Sequence, residues 1–265
     1  MRTIRPTLRP VLAILACCLG LAAARADAET INPVVRFSIL GSNFVDVELF
    51  QDTAPITVAN FLSYVEAGSY SNTFFNRSRN QFQPNDPPYT TSGINILQAG
   101  GFTITSTQQG LVVNPVASGS AIPLEVLLPN TAGTIAMARG ASPNTATNQW
   151  FFNLTDNPSL DPSAFTAGYA VFGRVVSGMS LLYQIADLPT TDWNPALLGV
   201  NPADPDYNPD EYPFGYVPML TFDQQDYFVT IDSIAPVPEP STLVLAGVGL
   251  VAAVAAARRP RRVAR

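Results

Sequence analysis

The chain reads as a mainly β protein, an antiparallel barrel capped by helices. Three observations predict this: short runs that alternate apolar and polar residues, turn residues between those runs, and two stretches with helical spacing. Val34 to Phe50 (VVRFSILGSNFVDVELF) is two strands joined by a turn at Gly41-Ser42-Asn43, with Val45, Val47 and Leu49 alternating with Asp46 and Glu48. Next, Val58, Phe61, Leu62 and Val65 fall on one face of a helix. Asp52 or Thr53 is placed to cap it, Pro55 suits its first turn and Gly68 ends it. Gln81 to Gly93 is a Pro- and Asn-rich loop. INILQAGGF is a strand running into a glycine turn, and GTIAMAR is a further strand. Gly168 to Val176 is another strand, SGMSLLYQIAD a second short helix, and Asp226 to Ile234 one closing strand. Leu188 to Thr221, rich in Pro, Asp and Asn, reads as a long surface loop, and loops of that length are usually functional or mobile.

Composition removes more chemistry than any motif adds. The 265 residues are 47% hydrophobic, enough for a sizeable core, and contain no His. Both cysteines, Cys17 and Cys18, sit in the first apolar run. The body therefore has no disulfide, no Cys or His nucleophile–base pair, no Ser-His-Asp triad and no Cys/His zinc site. The acids of Asp187 to Glu211 lack the spacing of a calcium loop. Every positive side chain is Arg. Between Glu29 and Pro238 only Arg36, Arg77, Arg79, Arg139 and Arg174 face eighteen acids, a net charge of −13. Such a body repels nucleic acid and anionic membrane surfaces.

Both ends read as targeting segments. Arg2, Arg5 and Arg9 precede an apolar run, Val11 to Ala24, and a small-residue exit, the pattern of a signal peptide over residues 1–28. At the other end Pro238-Glu239-Pro240 precedes the apolar run Leu243 to Ala257 and an Arg cluster. In that order these parts resemble the PEP-CTERM sorting signal of Gram-negative bacteria. The resemblance implies export, transient membrane insertion through a short C-terminal transmembrane helix, and removal of the tail of segment 236–265 by an exosortase.

Four blocks in order resemble the cyclophilins, the barrel-shaped peptidyl-prolyl cis-trans isomerases. They are VDVELFQDTAPITVANFLSYVEAGSYSNTFFNRS, ILQAGGF, GTIAMARGASPNTATNQWFFN and LDPSAFTAGYAVFGRVVSGM. The match runs from Val34 to Asp187 and resumes at Tyr227 to Ile234. It implies a closed eight-stranded antiparallel barrel with a helix at each end, over residues 29–235, with 188–221 as a loop insertion.

The resemblance also implies a site. Arg77 falls on the family's catalytic arginine and Gln98 on its active-site glutamine. Phe151 falls at the base of the proline pocket, with Leu160 and Ile96 on its walls. Phe75, Ala138, Arg139, Gln149 and Tyr169 complete the expected substrate-binding set. The chemistry suits the composition: a guanidinium that meets the prolyl nitrogen only as the bond twists needs no nucleophile, metal or cofactor. Asn76 stands where the family has His, Asn95 where it has a pocket Phe, and Ser159 near a pocket Trp or Phe. Ala99 and Gly101 stand where it has Gly and Asp.

Plainer readings exist for the same residues. Arg77 also reads as a surface arginine beside an acid, Gln98 as a glutamine tying down backbone, and Arg79 as solvated. Of Trp150, Phe151 and Phe152, strand alternation sends two to the core. Two functions follow. One is an exported prolyl isomerase acting on proline-containing segments of other exported proteins, as a monomer, in the periplasm, at the cell surface or in the matrix. The other is a proline-binding or matrix module with little turnover.

Overall fold

The computed structural model describes residues 32–79, 93–107, 110–223 and 225–238. The signal-peptide reading, the loop Gln81 to Ser92 and the apolar C-terminal run lie outside them. Among the described residues no helix is long and apolar enough to cross a membrane.

The protein is mainly β with few helices. The Val34 to Phe50 stretch forms β1 (Val34–Ile39) and β2 (Asn43–Leu49), which pair antiparallel. Along both, alternate residues are fully buried: Val35, Phe37 and Ile39, then Val45, Val47 and Leu49. The predicted first helix is α1 (Pro55–Glu66), with Phe61 and Val58 buried. Its start differs from expectation. The N-cap is Ala54, without a side-chain cap; instead the Glu125 carboxylate accepts from the Ile56 and Thr57 backbone N–H groups. A carboxylate there satisfies two helix-end donors and complements the positive end of the helix.

The remaining strands are β3 (Thr73–Phe74), β4 (Arg77–Arg79), β5 (Ile96–Ala99), β6 (Phe102–Thr107), β7 (Gly110–Pro115), β8 (Thr134–Met137), β9 (Trp150–Asn153) and β10 (Val171–Ser177). They are followed by β11 (Thr190–Thr191), β12 (Val217–Phe222), β13 (Gln225–Phe228) and β14 (Thr230–Pro236). The larger sheet runs β4-β5-β9-β8-β10-β2-β1-β14-β3-β6-β7, and the smaller β11-β12-β13. The second predicted helix is α2 (Met179–Ala186), and a third, α3 (Asn194–Leu198), lies in the insertion. The closing strand expected over Asp226 to Ile234 is two, broken at Val229, whose carbonyl accepts from the Phe75 N–H.

Segment Thr73 to Arg79 changes partners midway. Its first half pairs with β14, and its second half with β5. The switch falls between Phe75 N–H, bonded to Val229 O, and Asn76 N–H, bonded to Gln98 O.

The main core packs β1, β2, β8, β9 and β10 against α1 and α2. Its centre is Trp150, edge-on to Phe37 at 5.1 Å and Phe152 at 5.3 Å. Such offset aromatic pairs add to the burial of their area. Gly100, at φ +87°, turns β5 into β6 so close to this ring that an added Cβ would lie 2.6 Å from Trp150 Nε1.

The Leu188 to Thr221 stretch is not an unstructured loop. It supplies β11, α3, a 3-10 turn at Pro209–Glu211 and most of β12. Its apolar residues Phe214, Val217 and Met219 build a second cluster with Phe74 and Phe228, packed by Trp193 and Leu197. That burial outweighs the loop-like composition.

Candidate functional site

Strands β4, β5, β9 and β8 carry the site because alternation gives them two unlike faces. Leu97, Ile135, Trp150 and Phe152 point into the main core. Ile96, Ala136 and Phe151 point the other way, where they join Leu160 and Val171 in a separate apolar cluster. Trp150 and Phe152 are therefore the two core aromatics of the triplet, and Phe151 belongs to the opposite face.

Register then places the predicted residues side by side. Arg77 is opposite Gln98, Gln98 opposite Phe151, and Phe151 opposite Ala136. Directly paired side chains on adjacent strands sit about 4.5–5.5 Å apart at Cβ. This row opens into a cavity of ≈ 330 Å³. Arg77, Ile96, Gln98, Ala138, Arg139, Phe151, Leu160 and Tyr169 all line it. A neighbouring groove of ≈ 270 Å³ shares Gln98, Ala138 and Arg139 and adds Gln149, Thr145 and Thr147.

Each wall is fixed by a local device. Gln98 Nε2 donates to Gln149 Oε1 at 2.8 Å, which orients the Gln98 amide. Gly101 makes room for that pair, since a Cβ there would lie 2.6 Å from Gln149 Cδ. The Leu160 wall hangs on Asn130, whose side-chain amide donates to the Leu160 carbonyl and to Asp161. Tyr169 meets Phe151 edge-on at 5.6 Å. Arg139 lies over the Tyr169 ring at 4.6 Å and donates to the carbonyls of Gly168, Gly140 and Ala141 and to the Thr166 hydroxyl. Arg79 sits over the Tyr216 ring at 5.2 Å.

Three placements differ from the sequence reading. Phe75, expected to contact substrate, is fully buried in the main core edge-on to Trp150 at 6.4 Å, and it does not line the cavity. The cause is the partner switch at Phe75-Asn76, which interrupts alternation between Phe75 and Arg77. Asn95, the expected loss from the pocket wall, is buried instead in a polar network, donating to Thr155 Oγ1 at 3.0 Å and bonded through its backbone to Asn157. Ser159 is exposed and does not line the cavity.

Two lining residues escaped the sequence reading, Arg79 and Ile94. Each stands two positions from a predicted site residue, Arg77 and Ile96, and period-2 spacing was the signal for both. Asn76, the His substitute, is fully buried and donates to the Pro213 carbonyl at 3.0 Å, tying the insertion to the strand that carries Arg77.

Comparison with known proteins identifies the family. The family described as cyclophilin type peptidyl-prolyl cis-trans isomerase/CLD matches residues 34–201, and the PEP-CTERM protein-sorting motif matches residues 236–262. The chain belongs to the cyclophilin-type peptidyl-prolyl cis-trans isomerase family and carries a PEP-CTERM sorting motif, which points to export through an exosortase. It is 36% identical over 149 residues to a peptidyl-prolyl cis-trans isomerase of Acinetobacter baylyi, covering 56% of this chain and 70% of that protein. It is 33% identical over 186 residues to peptidyl-prolyl cis-trans isomerase A of Dickeya dadantii, covering 70% and 88%. A Cryptosporidium parvum cyclophilin-type isomerase structure aligns with TM-score 0.48 and 21% identity over 79% of this chain and 99% of that one.

Proposed function

We propose that the protein catalyses cis-trans rotation of X–Pro bonds in exported proteins, with Arg77 as the group that acts on the reacting bond. The observation that carries this is one cavity in which Arg77 stands across from Gln98 and beside the apolar walls of Ile96, Phe151 and Leu160. Rotation must break amide resonance, a barrier of about 18–20 kcal/mol. As the bond twists, the prolyl nitrogen becomes pyramidal and gains a lone pair. A guanidinium N–H aimed at that nitrogen bonds it in the twisted state and has no acceptor in the planar one. That is binding selective for the transition state. Arginine stays charged at any working pH and offers a rigid fork of donors.

The other residues take roles set by their chemistry. Phe151, Ile96 and Leu160 hold the pyrrolidine ring while the rest of the peptide turns. Gln98, its amide fixed by Gln149, holds the substrate carbonyl. Ala138, Arg139 and Gln149 line the groove that takes residues beside the proline, and Tyr169 closes the wall behind Phe151. Phe75 supports the strand from within the core. The binding-module alternative drew on Asn95 and Ser159 as lost wall residues. Neither lines the cavity, so the aromatic walls the family places there are missing, which supports that alternative, while Ile94 adds apolar wall, which supports turnover.

The finer architecture is part of the same proposal. Residues 29–235 form the isomerase domain, behind a signal peptide at 1–28 and ahead of a sorting segment at 236–265. The latter inserts transiently in the inner membrane before an exosortase removes its tail. The mature protein acts as a monomer in the periplasm, at the cell surface or in the matrix. An eight-stranded closed barrel is supported by the partner switch of Thr73 to Arg79, which bonds to β14 on one side and β5 on the other. Counting that segment once, with β1, β2, β5, β8, β9, β10 and β14, gives eight strands.

The test is cis-trans exchange of a short X–Pro peptide measured by NMR with the full-length chain and its Arg77→Ala variant. The expected result is acceleration by the wild type and a loss of about 10²–10³-fold in kcat/KM in a variant with an unchanged circular dichroism spectrum. Acceleration that survives the substitution refutes the role of Arg77. No acceleration by the folded wild type refutes the isomerase and leaves the binding module.

A further inference from the structure

The apolar wall of the cavity is backed by a buried network of amides. Asn130, Asn153 and Asn157 are at most 1% exposed, and none of the three lines the cavity. Asn153 ends β9 two residues after Phe151 and opposite Ile96, so it shares the face that carries the pocket. Its amide nitrogen donates to Asn130 Oδ1 at 3.2 Å and to Thr134 Oγ1 at 2.8 Å, and its amide oxygen accepts from Asn157 Nδ2 at 2.8 Å. Asn130 Nδ2 carries the connection to the Leu160 carbonyl at 3.1 Å and Asp161 Oδ1 at 3.0 Å, with the Tyr169 carbonyl at 3.4 Å. Asn157 Nδ2 donates to the Asn95 carbonyl at 3.0 Å, and Asn157 Oδ1 accepts from the Asn95 N–H at 2.9 Å. One network thus joins the backbone between Ile94 and Ile96, the strand of Phe151, and the segment that carries Leu160 and Tyr169.

That segment needs such a device. Between Asn157 and Tyr169 its regular structure is the 3-10 turn Pro158–Leu160, so no strand ladder sets how far Leu160 stands from Phe151. Apolar contact does not set it either, because burial is non-directional. An asparagine amide is directional, with two N–H donors and one carbonyl acceptor. In Asn153 and Asn157 both donors and the acceptor are engaged, so neither amide turns without leaving a buried group unpaired. The spacing matters for grip, since a gap of about 0.5–1 Å forfeits roughly a quarter to a half of a van der Waals contact. Given that the cavity takes an X–Pro segment, as proposed above, we propose that Asn130 and Asn153 are positioning residues. They hold Leu160 and Tyr169 at the distance from Phe151 that fits a five-membered prolyl ring, and so set the pocket's discrimination by ring size.

The experiment compares two peptides identical except for proline or its six-membered homologue, pipecolic acid, by NMR exchange with the full-length chain and its Asn130→Ala variant. The wild type is expected to favour the proline peptide in kcat/KM by about tenfold or more, the scale on which an apolar pocket rejects one added methylene. The variant, measured where its circular dichroism matches the wild type, should lose about tenfold on the proline peptide. Its preference for proline should shrink to about threefold or less. A merely structural role would lower the urea midpoint and leave the preference unchanged, and that result overturns the proposal while leaving the isomerase intact. Should the variant fail to fold, the wild type decides. The side-chain amide signals of Asn130 and Asn153 should then shift as the proline peptide saturates the protein, and signals that stay in place overturn the proposal. If the folded wild type turns over neither peptide, the isomerase reading fails, and the ring preference is read from dissociation constants in the same spectra. Tighter binding of the proline peptide that Asn130→Ala weakens then supports the positioning role, and equal or absent binding overturns it.

Discussion

The two tryptophans sit in two different cores, and the cores support adjacent walls of one cavity. Trp150 is fully buried in the main core among Phe37, Phe75 and Phe152, on strands whose other face carries Ile96, Gln98 and Phe151. Trp193 belongs to the insertion, 5.2 Å from Phe228, in the smaller cluster of Phe74, Phe214, Val217 and Met219. That cluster backs β4, the strand of Arg77 and Arg79, through Asn76 to Pro213 and Ser78 to Tyr216. The difference teaches that the apolar wall and the charged wall are stabilised separately. The apolar wall rests on strictly alternating strands. The charged wall rests on an insertion held by a small cluster and a few polar links.

The largest expected effect is on the Trp150 side. Trp150→Ala should cost about 3–5 kcal/mol and lower the urea midpoint of the whole domain, with fold and activity lost together. Phe214, stacked on Phe74 and edge-on to Phe102, is its counterpart in the insertion. Phe214→Ala should cost about 3 kcal/mol, confined to that unit. Trp193 emission should then change at lower urea than the far-ultraviolet dichroism, and turnover should fall more than peptide binding. Coincident transitions would break the comparison and make the two regions one cooperative unit. Asn76→Ala should cost less, about 1 kcal/mol, by leaving the Pro213 carbonyl without its donor. It should shift the Trp193 transition alone in a urea titration.

Much of the first region was legible in the sequence, because its information is local. The alternation of Val45, Val47 and Leu49 marked β2, the Val58 to Val65 spacing marked α1, and alternation separated Phe151 from Trp150 and Phe152. What was not legible is non-local. Glu125 caps α1 from 68 residues away, so Asp52 and Thr53 were the only caps proximity suggested. The insertion's apolar residues are spread among Pro, Asp and Asn, and their meeting with Phe74 and Phe228 exists only in three dimensions. Arg79 was legible only through its two-residue spacing from Arg77, and the place of Phe75 depends on a change of hydrogen-bonding partner that no periodicity encodes.

The smallest effect, and the finest probe of the insertion, is alkaline. The Tyr207 hydroxyl donates to Asp192 and accepts from Asn194 Nδ2, while Asn194 Oδ1 accepts from Phe214 N–H. The cluster thus links the Asp204–Tyr207 turn to the start of α3 and to Phe214. Burial, then donation to Asp192, pushes the Tyr207 hydroxyl up to about 12 from an ordinary 10.0. The folded state therefore holds this proton more tightly than the unfolded chain. Its contribution to stability is complete below pH 10 and is lost as pH rises from 10 through 12. Tyr207→Phe keeps the ring stacked on Tyr212 and removes the titrating group. At neutral pH the variant should be less stable by about 0.5–1.5 kcal/mol. That deficit, read from urea midpoints of Trp193 emission, should narrow between pH 10 and 12. Tyr70, whose hydroxyl burial also pushes upward, is common to both proteins and cancels in the difference. A deficit constant across that range would mean that the Asp192–Asn194–Tyr207 cluster does not hold the insertion together. The charged wall would then rest on apolar packing around Phe214 alone.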